Sequence, residues 1–185
     1  MGIAACYIYM RYRKEIITGT AAFGLTSIAA LALYAKSKPL STVQYVELNK
    51  YLGKWYEIAA LPQRFERDCS HATTEYSLNN DGSIKVINTC VKDGRIKVSK
   101  GKATVTDTKT NARLALQLQW PFKTRYWIIG LAHDYSYALV GHPNRKYLRV
   151  LGRKPEMDDQ TYNYLVNLAA NKGFDVRNLL RTEQG

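Results

Sequence analysis

At 185 residues, with 46% hydrophobic and 23% charged side chains, the chain can bury one core and falls outside the composition of disordered proteins. Its formal net charge of +12 favours anionic partners, whether nucleic acid, membrane headgroups or fatty carboxylates, and does not choose among them. The cations are scattered rather than gathered in one run, and 14 Tyr against four Phe suit a half-wet pocket as well as stacking on bases.

Residues 1–40 differ from the remainder. Arg11-Tyr12-Arg13-Lys14-Glu15 precedes an uncharged run from Ile16 to Ala35, which Lys36-Ser37-Lys38-Pro39 ends. About twenty residues suffice to cross the hydrocarbon layer as a helix, so the run reads as a membrane-targeting segment. Gly19 and Gly24 make it only moderately apolar, and Ala30-Leu31-Ala32 offers a small-x-small cleavage site. A cleaved signal peptide and a retained anchor both stand open, as do starts at Met1 and Met10. Ile3-Ala4-Ala5-Cys6 looks like a lipidation box but lies before the apolar run, so Cys6 reads as an ordinary residue.

From Ser41 to Gly185 the chain reads as one domain, opening with short strands. Leu52-Gly53-Lys54-Trp55-Tyr56-Glu57-Ile58-Ala59 sets a Gly at a strand entrance and an indole two residues on, where it can plug a closing sheet. Alternation puts Trp55, Glu57, Ala59 and Leu61 on one face and Tyr56, Ile58 and Ala60 on the other. An inward Glu57 needs a partner, which an inward Tyr or Arg would supply. Thr73 to Leu78 and Ile84 to Asn88 flank Asn79-Asn80-Asp81-Gly82-Ser83 and form a hairpin, Asp-Gly supplying the positive φ. With the turn centred near Asn80 and Asp81, Glu75 faces about Val86, and Cys69 faces a residue between Cys90 and Lys92.

Lys92-Asp93-Gly94 turns into Arg95 to Ser99, which runs on through Gly101 to Thr106. Arg113 to Leu118, Tyr126 to Leu131, Tyr137 to Val140 and Tyr147 to Leu151 follow, all joined by short turns. With the Trp55 strand the count is eight, the number of an up-and-down antiparallel β-barrel whose interior holds one small ligand. The expected class is all-β. After Pro155 the period changes: Met157, Thr161, Tyr164, Leu165, Leu168 and Ala169 share a helical face, Gly173 is placed to end the helix and Phe174 to fold back on it. No parallel strand needs a crossover, so this amphipathic helix is expected on the outside of the barrel.

Gly53-Lys54-Trp55, His133-Asp134-Tyr135 about eighty residues later and Arg153 at the end of a strand resemble the three-part spacing of the lipocalins. Gly53 to Ala59, Arg64-Phe65-Glu66-Arg67 and Ala138-Leu139-Val140 look like their bacterial branch, and the resemblance covers Val46 to Leu180. It implies a structural, barrel-closing role for Gly53, Trp55, Asp134, Tyr135 and Arg153, the guanidinium stacked over the indole in a cation–π contact of about 0.5 to 2 kcal/mol. Without it, Trp55 also reads as ordinary core and Arg153 as a solvated charge. His133 stands where the family pattern prefers Thr.

A ligand is expected to meet Glu57, Ala59 and Leu61 in the barrel, Arg64 and Phe65 on the loop over the open end, and Trp120, Phe122 and Lys123 at the other rim. Apolar groups mixed with cations there suit an amphiphile whose tail enters the barrel and whose anionic head stays at the mouth. The expected cargo is a fatty acid or lysophospholipid; a tetrapyrrole or retinoid is the alternative, and a Cys69-dependent isomerase a third. The targeting segment and the bacterial likeness place the chain in the periplasm or at a cell-envelope membrane, and that oxidising compartment would maintain a Cys69–Cys90 disulfide. His71, His133 and His142 have no metal-ligand spacing, and neither a nucleophile elbow nor a phosphate loop is present. No cofactor, metal or nucleic-acid partner is expected, since an oligonucleotide-binding barrel has five strands and clusters its aromatics with its cations.

Overall fold

Eight strands follow one another and return to the first: β1 (Gly53–Ala60), β2 (Ser70–Leu78), β3 (Ile84–Lys92), β4 (Arg95–Val105), β5 (Arg113–Gln119), β6 (Phe122–Leu131), β7 (Tyr137–Gly141) and β8 (Leu148–Gly152). The computed structural model describes residues 38–63 and 69–184; Cys6, the apolar run from Ile16 to Ala35, and Arg64 and Phe65 lie outside them. Each strand pairs antiparallel with the next, and β1 closes the circle against β2 at Gly53–Tyr76 and against β8 at Tyr56–Gly152. Closure leaves the eight strands without an open edge and sets an inside and an outside along each of them.

The β2–β3 hairpin shows how local chemistry sets register. The Asn79 N–H donates to the Ser83 carbonyl at 2.8 Å, the Ser83 N–H donates to Asp81 Oδ1 at 3.0 Å, and Gly82 takes φ +76°. The five-residue turn is thereby centred on Asp81, so Glu75 lies opposite Ile87, one residue on from the expected Val86. Further along, a bulge between Ser70 and Thr73 shifts the pairing so that Ser70 faces Val91.

Two apolar clusters occupy the two sides of the wall. The inner one gathers Trp55, Tyr76, Val86, Leu116, Tyr126 and Leu151 among others. The outer one packs Ile129, Leu139, Leu148 and Val150 against Leu165, Ala169 and Phe174. Leu165 and Ala169 belong to helix α2 (Asp159–Asn171), which therefore lies outside the barrel. Its first turn is capped by Asp158, whose side chain accepts from the Thr161 N–H at 2.8 Å. After Gly173, the Phe174 N–H reaches back to the Ala169 carbonyl at 3.1 Å. Tyr164 is not on the buried face: it is 54% exposed, with its ring edge-on to that of Tyr137 at 6.4 Å between centres.

Besides a 3-10 turn at Val176–Asn178, two further elements among the described residues are too short to leave a periodic signal. Helix α1 (Leu48–Tyr51) precedes β1, and β9 (Leu180–Arg181) pairs antiparallel with it, Ala59 opposite Arg181. The pairing of β1 with β2 stops at Tyr56, and the segment around β9 fills the seam beyond it. The Thr182 N–H donates to the Ile58 carbonyl, the His71 N–H to the Glu183 carbonyl, and Gln184 Nε2 to the carbonyls of both Glu57 and Ala72.

Candidate ligand-binding cavity

The closed end is assembled around one guanidinium. Arg153 lies with its Cζ 3.8 Å from the ring centre of Trp55, a residue with 0% exposure. Its Nη1 donates to the Lys54 carbonyl at 2.9 Å, and its Nη2 to the carbonyls of Lys50 at 2.6 Å and Leu52 at 2.9 Å. The last carbonyls of α1 are thus satisfied by a cation, and Trp55 Nε1 donates to the Tyr51 carbonyl at 2.8 Å. Burial lowers the pKa of Arg153 from its usual value. Gly53 holds φ +90°, the left-handed region, with Arg153 Nη1 3.4 Å from where a Cβ would stand. Tyr135 accepts the Glu47 N–H on its hydroxyl, and the hydrogen bonds from Ser136 hold the Asp134 carboxyl below its usual range.

Above this plug three phenols form a chain. Tyr126 Oη lies 2.9 Å from Tyr51 Oη and 2.7 Å from Tyr76 Oη. Burial is the main force pushing all three well above the ordinary tyrosine pKa, so they remain neutral hydrogen-bonding groups. Tyr76 and Tyr126 line a small void of about 60 Å³, which shares Asn88, Leu118 and Arg149 with a larger cavity of about 550 Å³ toward the open end. A cavity of that size is in the range that small-molecule ligands fill.

The buried ion pair of this cavity is Glu57 with Arg149, Oε2 to Nη1 at 3.1 Å. Thr182 donates to Glu57 Oε1 at 2.9 Å, and the Tyr147 ring lies 5.3 Å from the Arg149 Cζ. The partner needed by an inward Glu57 is therefore an arginine. Arg149 is a candidate ligand contact that the sequence reading did not name, although a signal was present: Tyr147, Arg149, Leu151 and Arg153 share one parity along β8. Setting Arg153 on Trp55 puts Arg149 inside as well.

Two expected cavity residues lie elsewhere. The register of β1 against β8 shifts between Glu57 and Ala59, and the bulge reverses the alternation after Glu57. Ala59 and Leu61 consequently join the outer cluster with Ile58, beneath α2, and Leu61 borders a separate depression beside residues 180–183. Trp120, Phe122 and Lys123 form the tip of the β5–β6 hairpin; all three are exposed, and none lines the two cavities above. Arg64 and Phe65 lie outside the described residues. Cys69 and Cys90 are joined in a disulfide with Cα atoms 5.6 Å apart, at the wall of the larger cavity. That bond leaves Cys69 no thiolate, the group an isomerase at this position would need.

A lipocalin-like domain matches residues 46–184. Outer membrane lipoprotein Blc of Escherichia coli K12 is 34% identical over 177 residues, covering 95% of this chain and 98% of that protein. Temperature-induced lipocalin-1 of Arabidopsis thaliana is 33% identical over 158 residues, covering 80% and 85%. Among solved structures, insecticyanin of Manduca sexta overlays with a TM-score of 0.65 at 18% identity, covering 79% of this chain and 85% of that one. Lobster apocrustacyanin A1 gives a TM-score of 0.61 at 23% identity over 75% and 80%. The two structures speak for the fold alone, whereas the domain match and the full-length relatives speak for descent. Together with the eight-strand closure and the Trp55–Arg153 plug, they establish that the chain belongs to the lipocalin family.

Proposed function

We propose that the barrel binds and stores or carries a small amphiphile, a fatty acid or lysophospholipid, at a bacterial cell-envelope membrane. The observation that carries this reading is the cavity of about 550 Å³, whose wall contains one buried ion pair and whose mouth is bordered by cations, Lys97 among its lining residues. An apolar tail in the barrel and an anionic head near Lys97, with Lys123 on the neighbouring hairpin, would satisfy both surfaces. Export is supported by the targeting segment, by the disulfide, which persists in oxidising compartments, and by relatives named as outer membrane lipoproteins.

The test is displacement of a fluorescent fatty acid. Lysophospholipid should compete strongly, and Lys97→Ala or Lys123→Ala should weaken its binding by about 1.5 to 3 kcal/mol for a lost contact to a charged group. Equal competition by a neutral long-chain alcohol would remove the headgroup site. A loss confined to Arg149→Gln would move the head from the mouth to the ion pair inside.

A further inference from the structure

The hairpin tips β3–β4 and β5–β6 stand at the open end of the barrel, and β4 and β5 are neighbours in the wall. Four large apolar side chains there are left in solvent: Trp120 is 83% exposed, Phe122 73%, Ile96 71% and Val98 55%. They are interleaved with six cations, Lys92, Arg95, Lys97, Lys100, Lys123 and Arg125, against a single acid, Asp93. Among the described residues Tyr45, Leu78, Tyr164 and Leu180 are exposed to a similar degree, but they lie on separate elements, whereas these four gather on two neighbouring hairpins.

We infer that these two hairpin tips form a docking surface for an anionic phospholipid bilayer, with Trp120, Phe122, Ile96 and Val98 entering the headgroup boundary. The charge pattern selects this occupant. A second copy of the chain would bring six cations against six, whereas anionic lipids neutralise them, at about 1 kcal/mol per basic residue near the surface. Indole and phenyl groups beside cations are also the composition that settles at a membrane interface. Val98 and Lys97 line the cavity mouth, so docking would bring the mouth against the lipid surface and let an amphiphile pass without crossing water. This surface is separate from the N-terminal segment as a membrane contact, and it does not depend on what the cavity holds.

The experiment uses the full chain, so bulk attachment through the N-terminal segment must be kept apart from docking of the tips. Tryptophan fluorescence does this, because Trp55 is fully buried, Trp127 half-buried and Trp120 exposed; the difference between the wild-type protein and Trp120→Phe isolates the Trp120 signal from the other two. With vesicles of phosphatidylcholine and phosphatidylglycerol brominated near the headgroup end of the acyl chains, Trp120 should be quenched. The quenching should weaken in pure phosphatidylcholine and at high salt, and should fall by about fivefold or more in Ile96→Ser/Phe122→Ser. Vesicle-bound protein with an unquenched Trp120 would overturn the inference, as would Trp120-dependent dimers without lipid quenching. Fatty-acid displacement by the wild-type protein without vesicles reads the cavity separately, so failure of docking and failure of the cargo reading are distinguishable.

Discussion

At the closed end a single guanidinium covers a wholly buried indole and donates to five carbonyls; at the open end an indole and a phenyl ring stand in solvent among cations facing one acid. Both ends use the same residue types, aromatic rings beside basic groups. The difference is what the cation donates to. Arg153 is fixed because, while it lies over the indole, its donors meet several backbone carbonyls at the end of α1 and the start of β1 at once. At the hairpin tips Arg95, Lys97, Lys100, Lys123 and Arg125 are exposed, where an anionic partner can reach them. Stability should therefore concentrate at one end and binding at the other.

The largest effect that could break this contrast is Trp55→Ala, which should cost about 3 to 5 kcal/mol in denaturant unfolding, with ligand affinity falling only through loss of folded protein. A stable variant that no longer binds would transfer Trp55 from plug to binding site. The open end has a covalent tie, and Cys69→Ser with Cys90→Ser should cost ~3 kcal/mol on the chain-entropy model for residues 21 apart. Thiol labelling of the denatured, unreduced protein checks the bond first: free Cys69 and Cys90 would remove it together with its support for export. The smallest effect sharpens the contrast most, since Trp120→Ser should leave stability within about 0.5 kcal/mol, as expected for an exposed side chain. A larger loss on unfolding would show that the rim is part of the fold rather than a free surface.

The strand count, the outer helix, the meeting of Trp55 with Arg153 and the Cys69–Cys90 bond were legible because each follows from local period, turn chemistry or a family spacing. What escaped the sequence has local causes too. A single extra residue at the β1 bulge turned Ala59 and Leu61 away from the cavity, and alternation carries no mark of where a bulge will fall. The Tyr51–Tyr126–Tyr76 chain joins residues from α1, β6 and β2, and abundance of tyrosine suggests a half-wet interior without saying which phenols meet. Arg149 was recoverable from its parity with Arg153. The two residues of β9 were not, since their strand form comes from β1 rather than from their own pattern.

That borrowed strand has a consequence for how the chain folds in time. Strands β2 to β8 can be laid down one after another by neighbouring hairpins, but β1 pairs with β8 on one side, and on the other its second half waits for the segment that holds Thr182, 125 residues from Glu57. Contacts of such long sequence separation are slow to form, and until they do, Ile58 to Ala60 present an open β-edge to other nascent chains. The second half of β1 therefore stays an open edge until the segment that holds Thr182 docks, even after every neighbouring hairpin has formed, and a holding chaperone would have most to gain by covering β1.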